Sequence, residues 1–225
     1  LYTALLQHLG CTAYAHEVAR VWGDDVVTTR VNFLSSSGEP ADMWRVWLPG
    51  LAMATGRSKA RVLATTVVTS RRMESEGKTA TCEVARRASQ GLGLPEPVQI
   101  GLSHMFALWN GKGYPNAAGD AIPLAARIMQ VSLTAVMFAS HATAEVAVAE
   151  VRRRAGTQLD PHIATLLISR AEEMLGDLDE LAGGEWAHVG RTSQSDRVRR
   201  RVRAWAACTA RRARRGGRQT FCQRH

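Results

Sequence analysis

With 225 residues and 45% apolar content, the chain is long enough to bury a core and has the composition of a soluble globular protein. The longest charge-free run of its second half, Ile128 to Ala144, contains Gln130, Ser132, Thr134, Ser140 and His141, which excludes a bilayer span and predicts a buried helix. The net charge of +9 conceals two unlike parts: residues 191–225 carry twelve Arg and one acid, which leaves −2 for residues 1–190.

Helical periodicity dominates from the start. Residues 1–9 read as the end of an apolar helix closed by Gly10. The opening LYTALLQHLG has no Met, no basic start and no cleavage site, so the chain is expected to begin inside a domain. Residues 12–22 form an amphipathic helix stopped by Gly23, with His16 and Glu17 on its solvated edge. Residues 25–36 stay open, since VVTTRVNFL favours a strand by propensity and a helix by its neighbourhood. Pro40-Ala41-Asp42 starts a helix that Pro49-Gly50 should interrupt. Two helices are predicted at 57–74 and 79–91, then an apolar segment at 96–109 that runs into a Gly-rich turn. Helices at 122–140 and 143–154 follow, the second ending in Arg152-Arg153-Arg154, three cations suited to a helix C-terminus. Asp160 and Pro161 look like the cap and first residue of a helix running to about Leu175. His141 and His162 lie near helix starts, where capping or surface roles are the simple account.

After Trp186 the composition turns to Arg, Ala, Gly, Ser and Thr. Residues 187–225 therefore read as a basic, disordered tail behind a domain at 1–186. Arg199, Arg200, Arg201, Arg203, Arg211 and Arg212 are its candidate nucleic-acid contacts, with Val198, Val202 and Trp205 on one side of a short basic helix. An out-of-frame reading of GC-rich DNA would give the same composition, since only three of the 29 basic residues are Lys. The four cysteines, Cys11, Cys82, Cys208 and Cys222, form no C-x-x-C pair and read as reduced thiols of a cytoplasmic protein. Cys11 and Cys82 are expected in the core.

One stretch carries more information than the rest. "HMFALWNGKGYPNAAGDAIPLAARI" (residues 104–128) resembles the HD-GYP family of the HD superfamily of metal-dependent phosphohydrolases. The family signature is His-His-Glu, a spacer, Asp-Gly-x-Gly-Tyr-Pro, then Ile-Pro-Leu entering a helix. Two further segments are similar: "GTQLDPHIATLL" (156–167) to the opening of the family's closing helix, and "ALLQHLG" (4–10) to its Leu-Leu-His-Asp-Ile-Gly. The resemblance implies an all-α, HD-domain-like helical bundle. It also implies cyclic dinucleotides such as cyclic-di-GMP, GGDEF proteins as partners, and in some relatives a following LuxR-type helix-turn-helix, of which 176–225 shows no trace.

Family chemistry needs His and Asp side chains around two or three iron or manganese ions, which activate a water and neutralise a phosphodiester. Here the paired histidines fall on Met105 and Phe106, the Glu on Ala107, and the Asp of the loop on Asn110. The Asp of the following helix falls on Leu133, in Val131-Ser132-Leu133; the HD pair becomes Gln7-His8, and the Lys after it Cys11. His8, His104 and Asn110 remain as weak metal candidates, with His104 rotated about 100° from the expected direction by its one-residue shift. No cofactor is expected; a divalent metal would return only with an active site. The loop Lys112, Gly113, Tyr114 and Pro115, with Arg127 behind it, is the candidate contact for a phosphate or an acidic partner, against a background reading of ordinary surface charge. Tyr114 should pack its ring under the loop with its hydroxyl outward. The expectation is a degenerate, catalytically inactive module that binds a nucleotide or protein. An active phosphodiesterase and nucleic-acid binding through the tail are the alternatives, and no membrane is involved.

Overall fold

The computed structural model describes residues 2–36 and 39–176. Among these residues the architecture is all-α, and the extended pairing is limited to two isolated bridges, Phe106 with Tyr114 and Ala155 with Leu159. The helices are α1 (Tyr2–Leu6), α2 (Ala15–Trp22), α3 (Asp25–Leu34), α4 (Pro40–Asp42), α5 (Leu48–Thr55), α6 (Lys59–Gly91), α7 (Glu96–Ser103), α8 (Leu124–His141), α9 (Ala144–Arg154), α10 (Pro161–Ser169) and α11 (Ala171–Leu175).

Two apolar clusters hold the bundle. Leu34 of α3, Val131, Ala135 and Phe138 of α8, Val146 and Val151 of α9, and Ala164 and Leu167 of α10 form one. Trp22, Val31, Leu48, Leu51 and Val62 join α2, α3, α5 and α6 in another. Burying a side chain such as Phe138 or Leu51, both fully enclosed, contributes roughly 1.5–3 kcal/mol by transfer from water. No helix among the described residues is long and apolar enough to cross a membrane.

Several elements differ from the sequence reading or decide what it left open. Residues 25–34 are helical, because Val31 and Leu34 find core places three residues apart on one helix face. The two helices expected at 57–74 and 79–91 are one, α6. Gly77, in the gap between them, is a packing residue there: a Cβ on it would sit 2.9 Å from the ring of Tyr14. Pro49 does not interrupt its helix, since it lies in the first turn of α5, where its missing N–H costs nothing, and the π turn Met43–Trp47 precedes it. Gly10 closes no helix; it lies buried in a 3₁₀ turn, Leu9–Ala13, that occupies the start assigned to α2. Its Cβ would collide with the Thr81 carbonyl. The helix after Asp160 breaks at Arg170, into α10 and α11.

Arg152, Arg153 and Arg154 do lie in the last turn of α9, as expected, with Arg152 and Arg153 exposed and Arg154 buried. Arg154 is 1% exposed, and its guanidinium donates to the Phe33 and Leu34 carbonyls, which caps α3. Glu150 accepts from it at 3.3 Å, and the Phe138 ring lies 5.0 Å beneath it. Arg153 meanwhile pairs with Glu150 and with buried Asp42, which accepts from the Ser36 N–H. Arg153 and Arg154 thus tie α9 to α4 and α3.

Candidate functional site

The loop between α7 and α8 is built by backbone hydrogen bonds. His104 ends α7, and the Tyr114 N–H donates to the Phe106 carbonyl at 3.0 Å, folding 106–114 into a tight turn. Gly111 closes it with φ +77°, a conformation that favours glycine. Gly113 is required by space: its Cβ would lie 2.8 Å from the Ala107 carbonyl carbon. The Trp109 and Asn110 N–H groups donate to the Gln158 and Thr157 carbonyls, docking the turn on the segment before α10. A cis peptide joins Tyr114 to Pro115.

Arg127 latches this loop to the bundle. Its Nη1 donates to Asp120 at 2.7 Å and to Asp160 at 2.9 Å, with the Trp109 ring 5.8 Å away. Asp160 is 1% exposed at its side chain, and its other oxygen accepts from the His162 and Ile163 N–H groups, the start of α10. Arg127 is therefore paired rather than free surface charge. Its job is to join the loop, α8 and α10. Lys112 sits exposed in the loop.

The positions where the resemblance puts metal ligands hold a different chemistry. Met105 is 8% exposed, with half-buried Phe106 against the same cluster, while Ala107 is fully buried in another cluster with Ile122 and Ala126. Gln130 of α8 fixes this segment by donating from Nε2 to the Ala107 carbonyl at 2.5 Å. Asn110 spends its side-chain oxygen on the Lys112 N–H at 3.0 Å. His104 donates from Nδ1 to the Ile100 carbonyl at 2.9 Å, within its own helix. His8 is exposed, edge-on to Phe33 and 3.8 Å from the Cys11 thiol, and partial burial lowers its pKa. His16 and His162 are exposed. The structure brings none of these together: among the described residues, no group of three or more His, Cys, Asp or Glu could hold a metal ion. Thioether, phenyl and methyl groups cannot ligate a hard divalent ion. The residues present do not fit iron or manganese.

What does assemble is a sulfur-rich apolar cluster of Cys82, Ala85, Leu102, Met105 and Met129, rimmed by Leu6, Val98, Phe106 and Tyr114. Tyr114 thus packs its ring inward, as expected. A cleft of about 270 Å³ opens beside it, lined by Thr79, Cys82, Glu83, Ser103, Tyr114 and Pro115. Burial pushes the Cys82 thiol up to about 11, with a backbone hydrogen bond from Met105 and the charge of Lys78 acting the other way. Glu83 is held low, at about 2, by hydrogen bonds from Arg86 and Arg87. Cys11 is half-buried rather than core, and its pKa is also raised by burial. The Thr79, Cys82 and Glu83 wall was missed by the sequence reading, because nothing in the chain order links α6 to a loop 30 residues on.

Fold and site together define an all-α helical bundle with a glycine-built loop over an apolar, sulfur-rich centre. No protein-family model matches the chain, and no curated protein matches it. Among solved structures it is similar to a cyclic GMP-AMP-specific phosphodiesterase of V. cholerae, at 18% identity and a TM-score of 0.44. The match covers 94% of this chain and 54% of that one, so the chain spans about half that protein's length. Likeness of that size carries no chemistry with it. The arginines of the tail, Arg199 to Arg212 among them, lie outside the described residues.

Proposed function

We propose that the chain is an HD-GYP-like module that has lost its hydrolytic metal centre and acts as a regulatory binding unit, for a cyclic dinucleotide or for a protein partner of the GGDEF type. The observation that carries this reading is the contrast between frame and centre. Gly111, Gly113, the Arg127–Asp160 latch and the α8 entry at Pro123 are intact, whereas Met105, Phe106 and Ala107 pack as hydrophobic residues. A loop that leaves no room for a side chain at Gly113 is costly to keep without a use, and Lys112 and Asn116 present an exposed polar face on it. Such a unit would work in the cytoplasm, in signalling or in control of transcription.

Metal analysis of the purified chain, alongside a hydrolysis assay on cyclic-di-GMP with added Mn(II) or Fe(II), tests the loss of catalysis. Substoichiometric iron and manganese with no turnover is the expected result. Two or more of these ions per chain, with turnover, would restore the phosphodiesterase reading. Calorimetric titration with cyclic-di-GMP and with a GGDEF domain then separates the two ligand classes, and silence in both overturns the binding role.

A second reading rests on charge alone. The +11 of residues 191–225 suits nucleic acid, whose binding by that segment should weaken steeply with salt as counterions are released. DNA binding that persists after truncation at Gly190 would refute it.

A further inference from the structure

The cleft beside the loop is bounded by Thr79, Cys82 and Glu83 of α6 on one side and by Ser103, Tyr114 and Pro115 on the other. At about 270 Å³ it lies just under the range of drug-sized sites, about 300–1,000 Å³, and suits a ligand of one ring system. Its polar groups are largely committed, and what most of them have left is of one kind. Thr79 donates its hydroxyl proton to the Ser75 carbonyl at 2.9 Å, and Ser103 donates its own to the Ile100 carbonyl at 2.8 Å. A hydroxyl has one proton, so both oxygens can offer a ligand only lone pairs. The Glu83 carboxylate is an acceptor too, already taking N–H groups from Arg86 and Arg87. The Tyr114 hydroxyl can both donate and accept. The Tyr114 ring, Pro115 and the Cys82 thiol, which behaves as a small hydrophobe, supply apolar wall.

An anion would meet lone pairs in this cleft. A cation would find the carboxylate of the lining already paired with two arginines. An uncharged, flat molecule with N–H donors satisfies the acceptors and the apolar wall together. We propose that the cleft binds an uncharged aromatic amine the size of one nucleobase. Its N–H groups donate to the Thr79 and Ser103 oxygens, and its ring lies against Tyr114 and Pro115. The proposal does not rest on the cyclic-dinucleotide reading, because such a ligand carries no phosphate.

The test is a fluorescence titration of the full chain with 2-aminopurine, whose emission falls when its ring stacks on an aromatic side chain. Competition follows, with adenine and with purine, which lacks the amino group. Saturable quenching with a Kd below about 1 mM is expected, which is within reach of a ligand this small. Adenine should displace the probe, and purine about fivefold less well, the worth of one neutral hydrogen bond. Thr79→Val and Ser103→Ala should each weaken the probe by a similar factor. Both positions lie outside the core, so these variants should keep the fold, checked by far-UV circular dichroism. Absence of saturable quenching overturns the site. Equal competition by purine and adenine in the parent chain overturns it as well, as does unchanged probe affinity in both variants.

Discussion

Replacing Arg127 by Met tests the latch under the loop, because Met keeps much of the stem's packing and removes the charge. The change leaves Asp160, 1% exposed at its side chain, without its cation. Breaking a buried ion pair by removing one partner costs about 3–5 kcal/mol. Asp160 keeps two N–H donors from His162 and Ile163, which pulls the cost to the low end of that range or below it, about 2–3 kcal/mol. Asp120 is 89% exposed at its side chain, so its pair adds little, about 0–1 kcal/mol. Losing the Trp109 ring contact adds about 0.5–1 kcal/mol. The total is about 2.5–5 kcal/mol, or roughly 5–20 °C in Tm for a folded unit of 150–250 residues. Urea unfolding followed by circular dichroism measures it, with Lys112→Met as a surface control expected within about 0.5 kcal/mol of the parent. A double-mutant cycle with Asp160→Asn should give a coupling above about 1 kcal/mol. A loss under about 1 kcal/mol, or strict additivity in the cycle, would refute the latch.

Two further outcomes follow from the same geometry. Gly113→Ala should destabilise by about 2 kcal/mol or more, because its Cβ meets fixed backbone of 106–108 that cannot move aside as a flexible side chain would; a variant as stable as the parent would contradict the close approach. The raised pKa of Cys82 gives stability that is fully present below the thiol's ordinary 9.0 and is lost as pH rises through about 11. Unfolding free energy should therefore fall between pH 9 and 11 more steeply in the parent than in Cys82→Ala, and equal slopes would show that the thiol is not buried as described.

The parts that could be read directly from the chain are those whose causes lie within a few residues. Asp160-Pro161 starts a helix because the carboxylate caps the N–H groups just after it. The turn at Gly111 and Gly113 and the entry to α8 depend on local backbone chemistry in the same way, and the helical class follows from a 3.6-residue period. That Met105, Phe106 and Ala107 carry no metal-ligating group suited to a hard cation was equally visible, since it needs only the identity of each residue.

Other features depend on which distant helices meet, and no local rule supplies that. Gly77 lies inside α6 with the Tyr14 ring packed on it, and Arg154 is buried on the α3 carbonyls. Arg127 became a latch only when Asp160, 33 residues on, came within 2.9 Å. Cys82 and Met105 are unremarkable in sequence; the packing of α6 beside the end of α7 makes them neighbours. Burial and pairing energies are set by atoms brought together across the bundle, whereas turns and caps are set by their own few residues. That difference in range is why the loop could be recognised from its letters, while the content of the space beneath it was decided by the fold.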